Sequence, residues 1–303
     1  MYVTPACPLC GSEDRRPVFP ATRVQGMPEP HELSCVSSPL ARSDAVVACV
    51  QCGLRYTCPR PSEEDYLAAY RRLEDSDFLG ERRARELTYA RQLDSLERFT
   101  HGKRGRLLDA GCSMGFFLRA ARDRGWDAEG LDPSRWAVEY ASREYGLAVR
   151  AGTIAEANLT PESYDAITIW DVVEHLFRPV DDFKRLAAAL KPGGVLALGT
   201  HSIGSPAAII LRKRYPFLMP MHTMHFTPLT TASLLARAGL RQALVRPHVR
   251  YLRTGYAITK LEQRMPRAGR VARAIARLVR IEHRHIMVGG LGLFEAFAVK
   301  PAH

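Results

Sequence analysis

A glycine turn followed by an acid is the arrangement in this chain that most directly suggests ligand binding. Residues 107–117 predict a buried strand, a tight turn at Gly111 and Gly115, and the start of a helix. Glycine lets the backbone close on a ligand because it has no Cβ. Asp132 ends the next predicted strand about 20 residues later, where an acid can hold a ribose diol. The segment therefore predicts a nucleotide-type site.

A second set of polar residues follows the apolar run that ends at Trp170. Asp171 is expected at the carboxyl edge of a parallel sheet, where ligands of open α/β sheets bind. His175 has a side chain whose ordinary pKa is about 6.5, so it is a candidate general base for an acceptor hydroxyl. A structural histidine bonded to a neighbouring carbonyl is an equally good interpretation of one histidine. The residues alone leave both open.

Six of the seven cysteines lie in residues 1–58, and four of them form two Cys-x-x-Cys-Gly pairs. The pairs are Cys7 with Cys10 and Cys49 with Cys52. Two-residue spacing lets both thiolates face one cation, so two such pairs predict a tetrahedral, structural zinc site. A redox interpretation explains one pair but not two. Cys35 and Cys58 are interpreted as ordinary thiols, although either is an alternative ligand.

Several motifs together resemble those of the class I S-adenosylmethionine-dependent methyltransferases. Asp109-Ala110-Gly111-Cys112-Ser113-Met114-Gly115 is similar to their motif I, with Ser113 where glycine is common. Residues 163–176 resemble strand 4 and the motif after it, and residues 190–198 resemble the turn into strand 5. The likeness covers about residues 84–245. The two cysteine pairs, followed by Pro59-Arg60-Pro61 and a helix, resemble a zinc-binding extension found in a bacterial subgroup.

The resemblance implies a site for S-adenosylmethionine. Asp109 is expected to receive the ammonium group of the cofactor, Asp132 the ribose hydroxyls, and Thr153 and Ile154 the adenine. The N-terminus of the helix that begins at Phe116 is expected to face the carboxylate, because helix N-termini favour anions. The complete set of cofactor-binding residues that it implies is Asp109, Gly111, Cys112, Gly115, Phe116, Asp132, Pro133, Thr153, Ile154, Trp170 and Asp171.

The same resemblance offers a metal-assisted alternative for catalysis. Asp171, Glu174 and His175 are similar to the carboxylate-x-x-Glu-His ligands of some metal-assisted O-methyltransferases, and His222 or His225 would complete the set. A second divalent metal could then lower the pKa of an acceptor hydroxyl. The candidate catalytic residues are therefore these three together with His222 and His225.

Composition limits the classes of protein that fit. No apolar run reaches the roughly 18 residues of a bilayer span, and the first residues do not resemble a signal peptide, so a cytoplasmic location is expected. The net charge of +11 is concentrated at one end. Residues 241–303 hold 13 Lys and Arg against 3 Asp and Glu, whereas residues 1–240 hold 30 against 29. An anionic partner should therefore contact the C-terminal fifth.

That basic end contains one predicted amphipathic helix, residues 268–284. Val271, Ile275, Leu278 and Val279 form its apolar face, beside a stripe of Arg270, Arg273, Arg277, Arg280 and Arg284. Three interpretations remain open. The helix packs on the domain with a solvated arginine face, it lies on an anionic membrane surface at the inner membrane face, or it binds RNA. Nucleic acid is the less favoured partner because the stripe has no interleaved aromatic residues.

The predicted fold is a doubly wound α/β sheet of the class I methyltransferase, Rossmann-like type. The expected divisions are a zinc-ribbon-like module over 1–61, a helical linker or cap over 62–100, and a methyltransferase domain over 101–303. Within that domain, 201–229 is predicted to be a lid over the acceptor and 250–290 a basic helical insertion before the last strand.

The predicted function is methyl transfer from S-adenosylmethionine to a small metabolite, a sugar or a lipid-linked glycan or secondary-metabolite intermediate. An oxygen or carbon acceptor is favoured over nitrogen. An RNA methyltransferase that grips RNA through the zinc module and the arginine helix is the first alternative, although the Asn/Asp-Pro-Pro-aromatic tetrad of base amino-methylation is missing after strand 4. A binder that keeps the fold without catalysis is the second.

Overall fold

The N-terminal region consists of short antiparallel strands. The computed structural model of the chain describes residues 1–23, 26–29, 32–34, 36–38 and 42–302. The first strands are β1 (Tyr2–Val3), β2 (Arg15–Phe19), β3 (Val46–Cys49), β4 (Arg55–Thr57) and β5 (Arg60–Pro61). β2, β3 and β4 form one antiparallel sheet, while β1 pairs with β5. The second cysteine pair therefore lies in the hairpin between β3 and β4.

Three helices link this region to the central sheet: α1 (Glu63–Tyr70), α2 (Ser76–Leu79) and α3 (Arg82–Phe99). Ser62 caps the N-terminus of α1, because its hydroxyl accepts a hydrogen bond from the Asp65 backbone N–H at 3.2 Å. All three lie within the helical linker predicted over 62–100, and α3 is the longest. It buries Leu93 and Leu96 against the sheet.

The next elements alternate strand and helix. They are β6 (Arg106–Ala110), α4 (Phe116–Asp123), β7 (Asp127–Asp132), α5 (Arg135–Tyr145), β8 (Ala148–Ala151), β9 (Tyr164–Trp170), α6 (Pro179–Ala189), β10 (Leu190–His201), α7 (Pro206–Leu211), β11 (Met224–His225), α8 (Pro228–Arg237) and β12 (Arg241–Pro247). The chain ends with β13 (Arg250–Arg253), α9 (Thr254–Arg264), α10 (Pro266–Leu278), β14 (His285–Val288) and β15 (Leu293–Val299).

Seven strands form the central sheet in the order β12-β15-β10-β9-β6-β7-β8. The five strands from β10 to β8 are parallel, and β15 is antiparallel to both β10 and β12. The chain therefore proceeds outward from β6 in two directions. This confirms the predicted doubly wound sheet, and it places a topological switch point at the carboxyl ends of β6 and β9, where such sheets bind ligands.

Alternation along the strands divides the core into two layers. Leu108, Ile167 and Leu196 face the side covered by α6 and α8, whereas Leu107 and Ala166 face the side covered by α3 and α4. Successive side chains of a strand point to opposite faces, so apolar runs without polar alternation are what a sheet covered on both sides requires. The sheet is thus the rigid support on which the loops at its carboxyl edge are positioned.

The insertion before the last strand is confirmed, but the predicted helix over 268–284 is wrong at its C-terminal end. The helix is α10, which ends at Leu278, and Arg280 has a positive φ of 55°. Arg280 and Arg284 therefore lie outside it. The insertion also contains α9, and the ribbon of β13 and β14 forms its base. Apolar periodicity alone did not reveal either feature.

Residues 201–229 connect the central sheet to the N-terminal sheet. β11 pairs with β4 in antiparallel register, Met224 with Tyr56 and His225 with Arg55. The lid role assigned to this segment stays a prediction. Among the helices in the part of the chain that the structure describes, none combines the length and apolar character needed to cross a bilayer.

Candidate functional site

A cavity of about 160 Å³ lies at the carboxyl edge of the sheet, at the switch point. Its floor comes from the loops after β6, β7, β8 and β9. Its cover comes from the N-terminal helices and their linkers, through Glu63, Tyr66, Leu67, Tyr70, Leu73, Asp75, Phe78, Arg85 and Tyr89. From the predicted lid over 201–229, the cavity lining includes Met221. The helices over 62–100 are thus the main cover of this site.

The glycine turn after β6 has the left-handed backbone that its residues predict. Gly111 has a φ of 86°, and a Cβ there would lie 2.3 Å from Cγ2 of Val172. Gly115 has a φ of 76° and precedes α4, and its Cβ would lie 2.5 Å from Leu147. Ser113, which replaces a common glycine, also has a positive φ, 47°. The serine therefore adopts the glycine-like conformation at a small cost in strain.

Asp132 is held rigidly at the end of β7. Its two carboxylate oxygens accept backbone hydrogen bonds, from Ser113 N–H at 2.9 Å and from Ser134 N–H at 2.8 Å. Burial raises the pKa of Asp132 to about 6, against the effect of these bonds. The carboxylate lines the cavity with its remaining lone pairs free to accept further hydrogen bonds. Ser134 is the N-cap of α5.

Asp109 lies beneath the cavity floor. Its Oδ1 accepts a hydrogen bond from the Thr168 hydroxyl at 2.7 Å. Burial raises the pKa of Asp109 to about 7, and the negative charge of Asp132 adds to the shift. A nearby cation such as an ammonium group would oppose this shift, because it favours the charged carboxylate.

The structure brings most of the predicted cofactor residues to the cavity. Those that line it are Gly111, Asp132, Pro133, Thr153, Ile154, Trp170 and Asp171. Four others, Asp109, Cys112, Gly115 and Phe116, lie behind this surface. Cys112 packs against Gly130, and Phe116 stacks on Phe78 with ring centroids 5.8 Å apart. Direct contact between these four residues and a cofactor stays a prediction.

Asp171 takes part in an ion pair that the sequence did not suggest. One guanidinium nitrogen of Arg250, the first residue of β13, lies 2.6 Å from both carboxylate oxygens of Asp171. Burial alone would raise the pKa of Asp171, but Arg250 and Arg85 outweigh it and hold the pKa below its usual value. Asp171 also has a positive φ of 55°. The acid is therefore fixed in the cavity wall as a carboxylate.

Glu174, His175 and His222 come together beside the cavity. One potential ligand atom from each lies within 4.8 Å of the others. Nδ1 of His175 lies 2.9 Å from the Met221 carbonyl, and Nδ1 of His222 lies 2.7 Å from the Phe217 carbonyl. A carbonyl only accepts, so each neutral ring carries its proton on Nδ1 and keeps the Nε2 lone pair. Such an arrangement suits either a base or metal ligands.

Two further histidines complete this buried group without joining the ligand set. His201 stacks between Phe217 and His222, with ring centroids 5.0 Å and 4.8 Å away, and burial lowers its pKa to about 3. His225, a predicted candidate, has Nδ1 3.4 Å from Nε2 of His201. The structure therefore brings His222, and not His225 or Asp171, to Glu174 and His175.

Several cavity residues escaped sequence reasoning. Arg85 of α3 lines the cavity with its guanidinium 4.6 Å from the ring centre of Phe78, and Tyr66 packs on Phe177 at 5.3 Å. Asp182 lines it too, and burial raises its pKa to about 6. The sequence places these residues in polar helices, but it does not specify which side of each helix packs against the sheet.

The four paired cysteines form one cluster in the N-terminal module. Cys7 and Cys52 have sulfur atoms 3.5 Å apart, as do Cys10 and Cys49, and all four lie within 4.8 Å. Zinc–sulfur bonds of about 2.3 Å in a tetrahedron place sulfurs roughly 3.8 Å apart, so the cluster fits such an ion. Cys58 lies outside the cluster, and Cys35 lies outside the described residues.

The two halves of the cluster are built alike. Gly11 donates to the Cys7 carbonyl at 2.8 Å, and Gly53 donates to the Cys49 carbonyl at 3.0 Å. Both glycines have a positive φ, 78° and 75°. The glycine after each pair therefore closes an equivalent turn beneath the sulfurs, as the Cys-x-x-Cys-Gly spacing predicts.

Comparison with known proteins agrees with this fold. A family described as "Methyltransferase domain" matches residues 80–244. The ubiquinone biosynthesis O-methyltransferase of Ralstonia nicotianae is 30% identical over 154 residues, which cover 46% of this chain and 65% of that protein. The enzyme of the same name from Xanthomonas axonopodis pv. citri is 31% identical over 150 residues, 45% of this chain and 62% of the relative. The chain thus covers less than two thirds of these relatives.

Solved structures support the fold assignment. An S-adenosylmethionine-dependent methyltransferase from Archaeoglobus fulgidus superposes with a TM-score of 0.51 at 23% identity, covering 75% of this chain and 100% of that one. A methyltransferase from Thermotoga maritima gives 0.50 at 18% identity, covering 72% and 90%. The protein is a class I methyltransferase by fold. By the match over more than half of its length, the chain belongs to the methyltransferase domain family.

Proposed function

We propose that the protein transfers the methyl group of S-adenosylmethionine to an oxygen of a small, largely apolar acceptor. The observation that carries this proposal is the cavity at the switch point, with Gly111 and Asp132 on its floor. The relatives named O-methyltransferases support an oxygen acceptor. The ubiquinone pathway in their name is not transferred to this chain.

The donor would lie across the carboxyl ends of β6, β7 and β8. Asp132, already oriented by Ser113 and Ser134, would accept hydrogen bonds from the ribose hydroxyls. Thr153 and Ile154 would border the adenine. When bound, the donor supplies a methyl group that is already attached to a good leaving group, the sulfonium sulfur. The residues therefore contribute mainly alignment and proximity, worth several powers of ten in rate.

The acceptor would occupy the end of the cavity beneath α1. Tyr66, Tyr70, Phe177 and Met221 line that end, so it favours a molecule with a flat or apolar surface. A lipid-linked glycan or secondary-metabolite intermediate fits this character, and a free sugar fits it less well. Tyr66 donates a hydrogen bond to the Met221 carbonyl at 3.1 Å, which joins α1 to the loop before β11. Both elements would therefore contact the acceptor.

His175 is the proposed proton acceptor. Its Nδ1 is committed to the Met221 carbonyl, so Nε2 is the atom that can take the hydroxyl proton. The ring lines the same cavity as Asp132 and Asp171. A purely structural role would use only the Nδ1 hydrogen bond of His175 and would not need the Nε2 lone pair.

A second divalent metal at Glu174, His175 and His222 is the alternative mechanism. The Thr200 hydroxyl donates to Glu174 at 2.9 Å, and both histidines have fixed tautomers, which is the support that metal ligands usually receive. A bound ion would lower the pKa of an acceptor hydroxyl. Two nitrogens and one carboxylate suit zinc, manganese, iron or cobalt.

The four-cysteine module is proposed to bind structural zinc. Because β4 of this module pairs with β11, the ion would stabilise the segment that carries His222. An RNA methyltransferase and a non-catalytic binder remain the alternative functions. The described residues offer no observation that favours either. A cytoplasmic location remains part of the proposal.

The test has two arms. Equilibrium dialysis would measure S-adenosylmethionine binding by the intact protein, by Asp132→Ala and by Asp127→Ala, an exposed acid at the other end of β7. Hydrogen bonds to a charged group are worth about 1.5–3 kcal/mol, so Asp132→Ala should weaken binding at least tenfold, by about 1.4 kcal/mol or more. Asp127→Ala should not.

The second arm identifies the acceptor class. Radiolabelled donor would be incubated with a cell extract, which is then separated into RNA, protein, lipid and small polar fractions. Label in lipid or small metabolites supports the proposal, and label in RNA overturns it. Failure of the donor to bind would leave only the non-catalytic alternative.

A further inference from the structure

An apolar surface is exposed on α10 where a packed helix would be covered. Val271, Ile275 and Leu278 are 60%, 55% and 83% exposed, and Val279 just after the helix is 53% exposed. Their spacing places them along one side of the helix. We call these four residues the α10 apolar face. Scattered exposed leucines are ordinary, but a continuous apolar helix face marks an interaction surface.

The packing of α10 explains why this face points away from the protein. Gly269 and Ala276 are its buried residues, and a Cβ on Gly269 would lie 2.3 Å from the Cα of Glu262 in α9. The small residues of α10 therefore let it approach the backbone of α9 very closely. Arg273 fixes the contact further, because it lies 2.8 Å from Glu262 and 3.6 Å from Glu282. The orientation of α10 is thus set by α9.

Positive charge surrounds the α10 apolar face. Arg267, Arg270 and Arg277 are exposed on the helix, and Arg280 and Arg284 are exposed just beyond it. Arg277 lies 3.4 Å from Glu282. Arg273 forms ion pairs with both Glu262 and Glu282. The acids of the insertion are therefore engaged on the side toward α9. The other charged residues of α10 and of the segment just after it are arginines exposed to solvent.

A second segment of the fold has the same composition. The short helix α7 exposes Ile209 and Ile210, at 64% and 77%, and the exposed residues Arg212, Lys213 and Arg214 follow directly. This segment begins where the insertion ends, because a Cβ on Gly292, between β14 and β15, would lie 2.3 Å from the Ser205 hydroxyl. Exposed apolar residues followed by basic residues thus occur both in the insertion and beside the point where the insertion returns to the sheet.

We propose that the α10 apolar face docks on the surface of a membrane that contains anionic lipids. Apolar side chains of such a helix enter the boundary between headgroups and acyl chains while arginines meet lipid phosphates. Charge decides against a second copy of the chain, because the same cationic surface would face itself. The phosphates of an RNA would bind the arginines, but they would not bury the four apolar side chains.

The test measures co-sedimentation of the intact chain with vesicles, without donor or acceptor. One set contains equal parts phosphatidylglycerol and phosphatidylcholine, the other phosphatidylcholine alone. The critical pair of variants is Leu278→Glu and Leu229→Glu, because Leu278 and Leu229 are both 83% exposed and only Leu278 belongs to the α10 apolar face. Circular dichroism would verify that both variants keep their helices.

We expect binding to anionic vesicles that is weakened at least roughly tenfold by Leu278→Glu and little changed by Leu229→Glu. Added salt should weaken it as well. Equal effects of the two variants, or no preference for anionic vesicles, would overturn the proposal. So would a dimer that Leu278→Glu separates in sedimentation velocity, or displacement from vesicles by RNA without any effect of Leu278→Glu. Vesicle binding is independent of methyl transfer, so the two proposals fail separately.

Discussion

Arg250 holds Asp171 through a single guanidinium nitrogen that lies 2.6 Å from both carboxylate oxygens. Arg250 begins the ribbon at the base of the insertion, and Asp171 directly follows the central strand β9 with a left-handed φ of 55°. The ion pair therefore links the insertion to the wall of the proposed active site. It also connects elements 79 residues apart in the chain.

Replacing Arg250 with Gln should reduce methyl transfer more than it reduces stability. The pair is partly exposed, 16% for Arg250 and 24% for Asp171, so we expect a stability loss of about 1–3 kcal/mol rather than the roughly 3–5 of a fully buried pair. Displacement of Asp171 in the cavity wall should lower turnover by roughly tenfold to a hundredfold. Chemical denaturation and a methyl-transfer assay would measure the two effects.

Arg253→Gln is the matched control for this substitution. Arg253 lies on the same strand and pairs with Glu81 at 2.9 Å, and neither residue lines the cavity. It should cost similar stability while leaving turnover nearly unchanged. If both variants lose turnover equally, Arg250 acts only through the stability of the ribbon.

Donor affinity should fall as the pH falls below 7 if Asp109 receives the ammonium group. Burial raises the pKa of Asp109 to about 7, so in the free protein the carboxyl is protonated below that pH and carries no charge to pair with the cation. One linked proton weakens binding by up to roughly tenfold per pH unit. Isothermal titration calorimetry with S-adenosylmethionine between pH 5 and 8 would follow this dependence.

Asp109→Asn provides the control, since it removes the titrating group and should bind weakly at every pH. The same raised pKa destabilises the free protein as the pH rises, because the unfolded chain loses this proton near pH 4 and the folded chain only near 7. The variant should lack that loss, which is at most about 4 kcal/mol for a shift of three pKa units. A donor affinity of the native protein that does not change with pH would exclude the proposed role.

Local spacing was enough to predict the glycine turn, the strands around it and the cysteine cluster, whereas the order of the whole sheet followed from the resemblance to a known family. In each case the deciding residues are close in sequence, as in the Cys-x-x-Cys-Gly pairs, or are placed by a strand end, as for Asp132. The apolar strands also carry their own signal, because a sheet covered on both faces requires continuous hydrophobic runs.

Contacts between distant elements could not be predicted in this way. Arg250 and Arg85 lie in polar stretches whose docking depends on tertiary packing, and no local pattern separates them from solvent-exposed arginines. The pattern also could not choose between His222 and His225, which lie three residues apart, one before the short strand β11 and the other at its end. Strand pairing with β4 decides that His222 faces Glu174.

If a second metal binds at Glu174, His175 and His222, His222→Gln should abolish its binding while leaving the cysteine site loaded. Cobalt(II) is a suitable probe, because only the cysteine site gives sulfur-to-metal charge-transfer absorption, whereas the Glu174, His175 and His222 site would give weak bands without it. If the metal-assisted alternative holds, the native chain should bind two cobalt ions and the variant one. His225→Gln, which alters another fully buried histidine outside the ligand set, should keep both.

One cobalt ion in the native chain would exclude the metal-assisted mechanism and leave His175 as the general base. Loss of both ions in His222→Gln would instead indicate that the buried histidines support the cysteine module through β11. Circular dichroism of each variant would separate loss of a ligand from loss of the fold.

Removal of zinc should destabilise the protein beyond its N-terminal module. Cys52→Ser takes one ligand from the cluster, and loss of a metal site belongs to the few changes that cost more than about 4 kcal/mol. The loss should extend to the proposed active site, since β4 pairs with β11 and Thr57 N–H donates to the Thr223 carbonyl at 2.9 Å.

Cys58→Ser is the matched control, because Cys58 is a buried thiol outside the cluster. Hydrogen exchange would follow the amides of residues 221–226: faster exchange in Cys52→Ser but not in Cys58→Ser is expected, whereas unchanged exchange would mean that the module folds independently of the site.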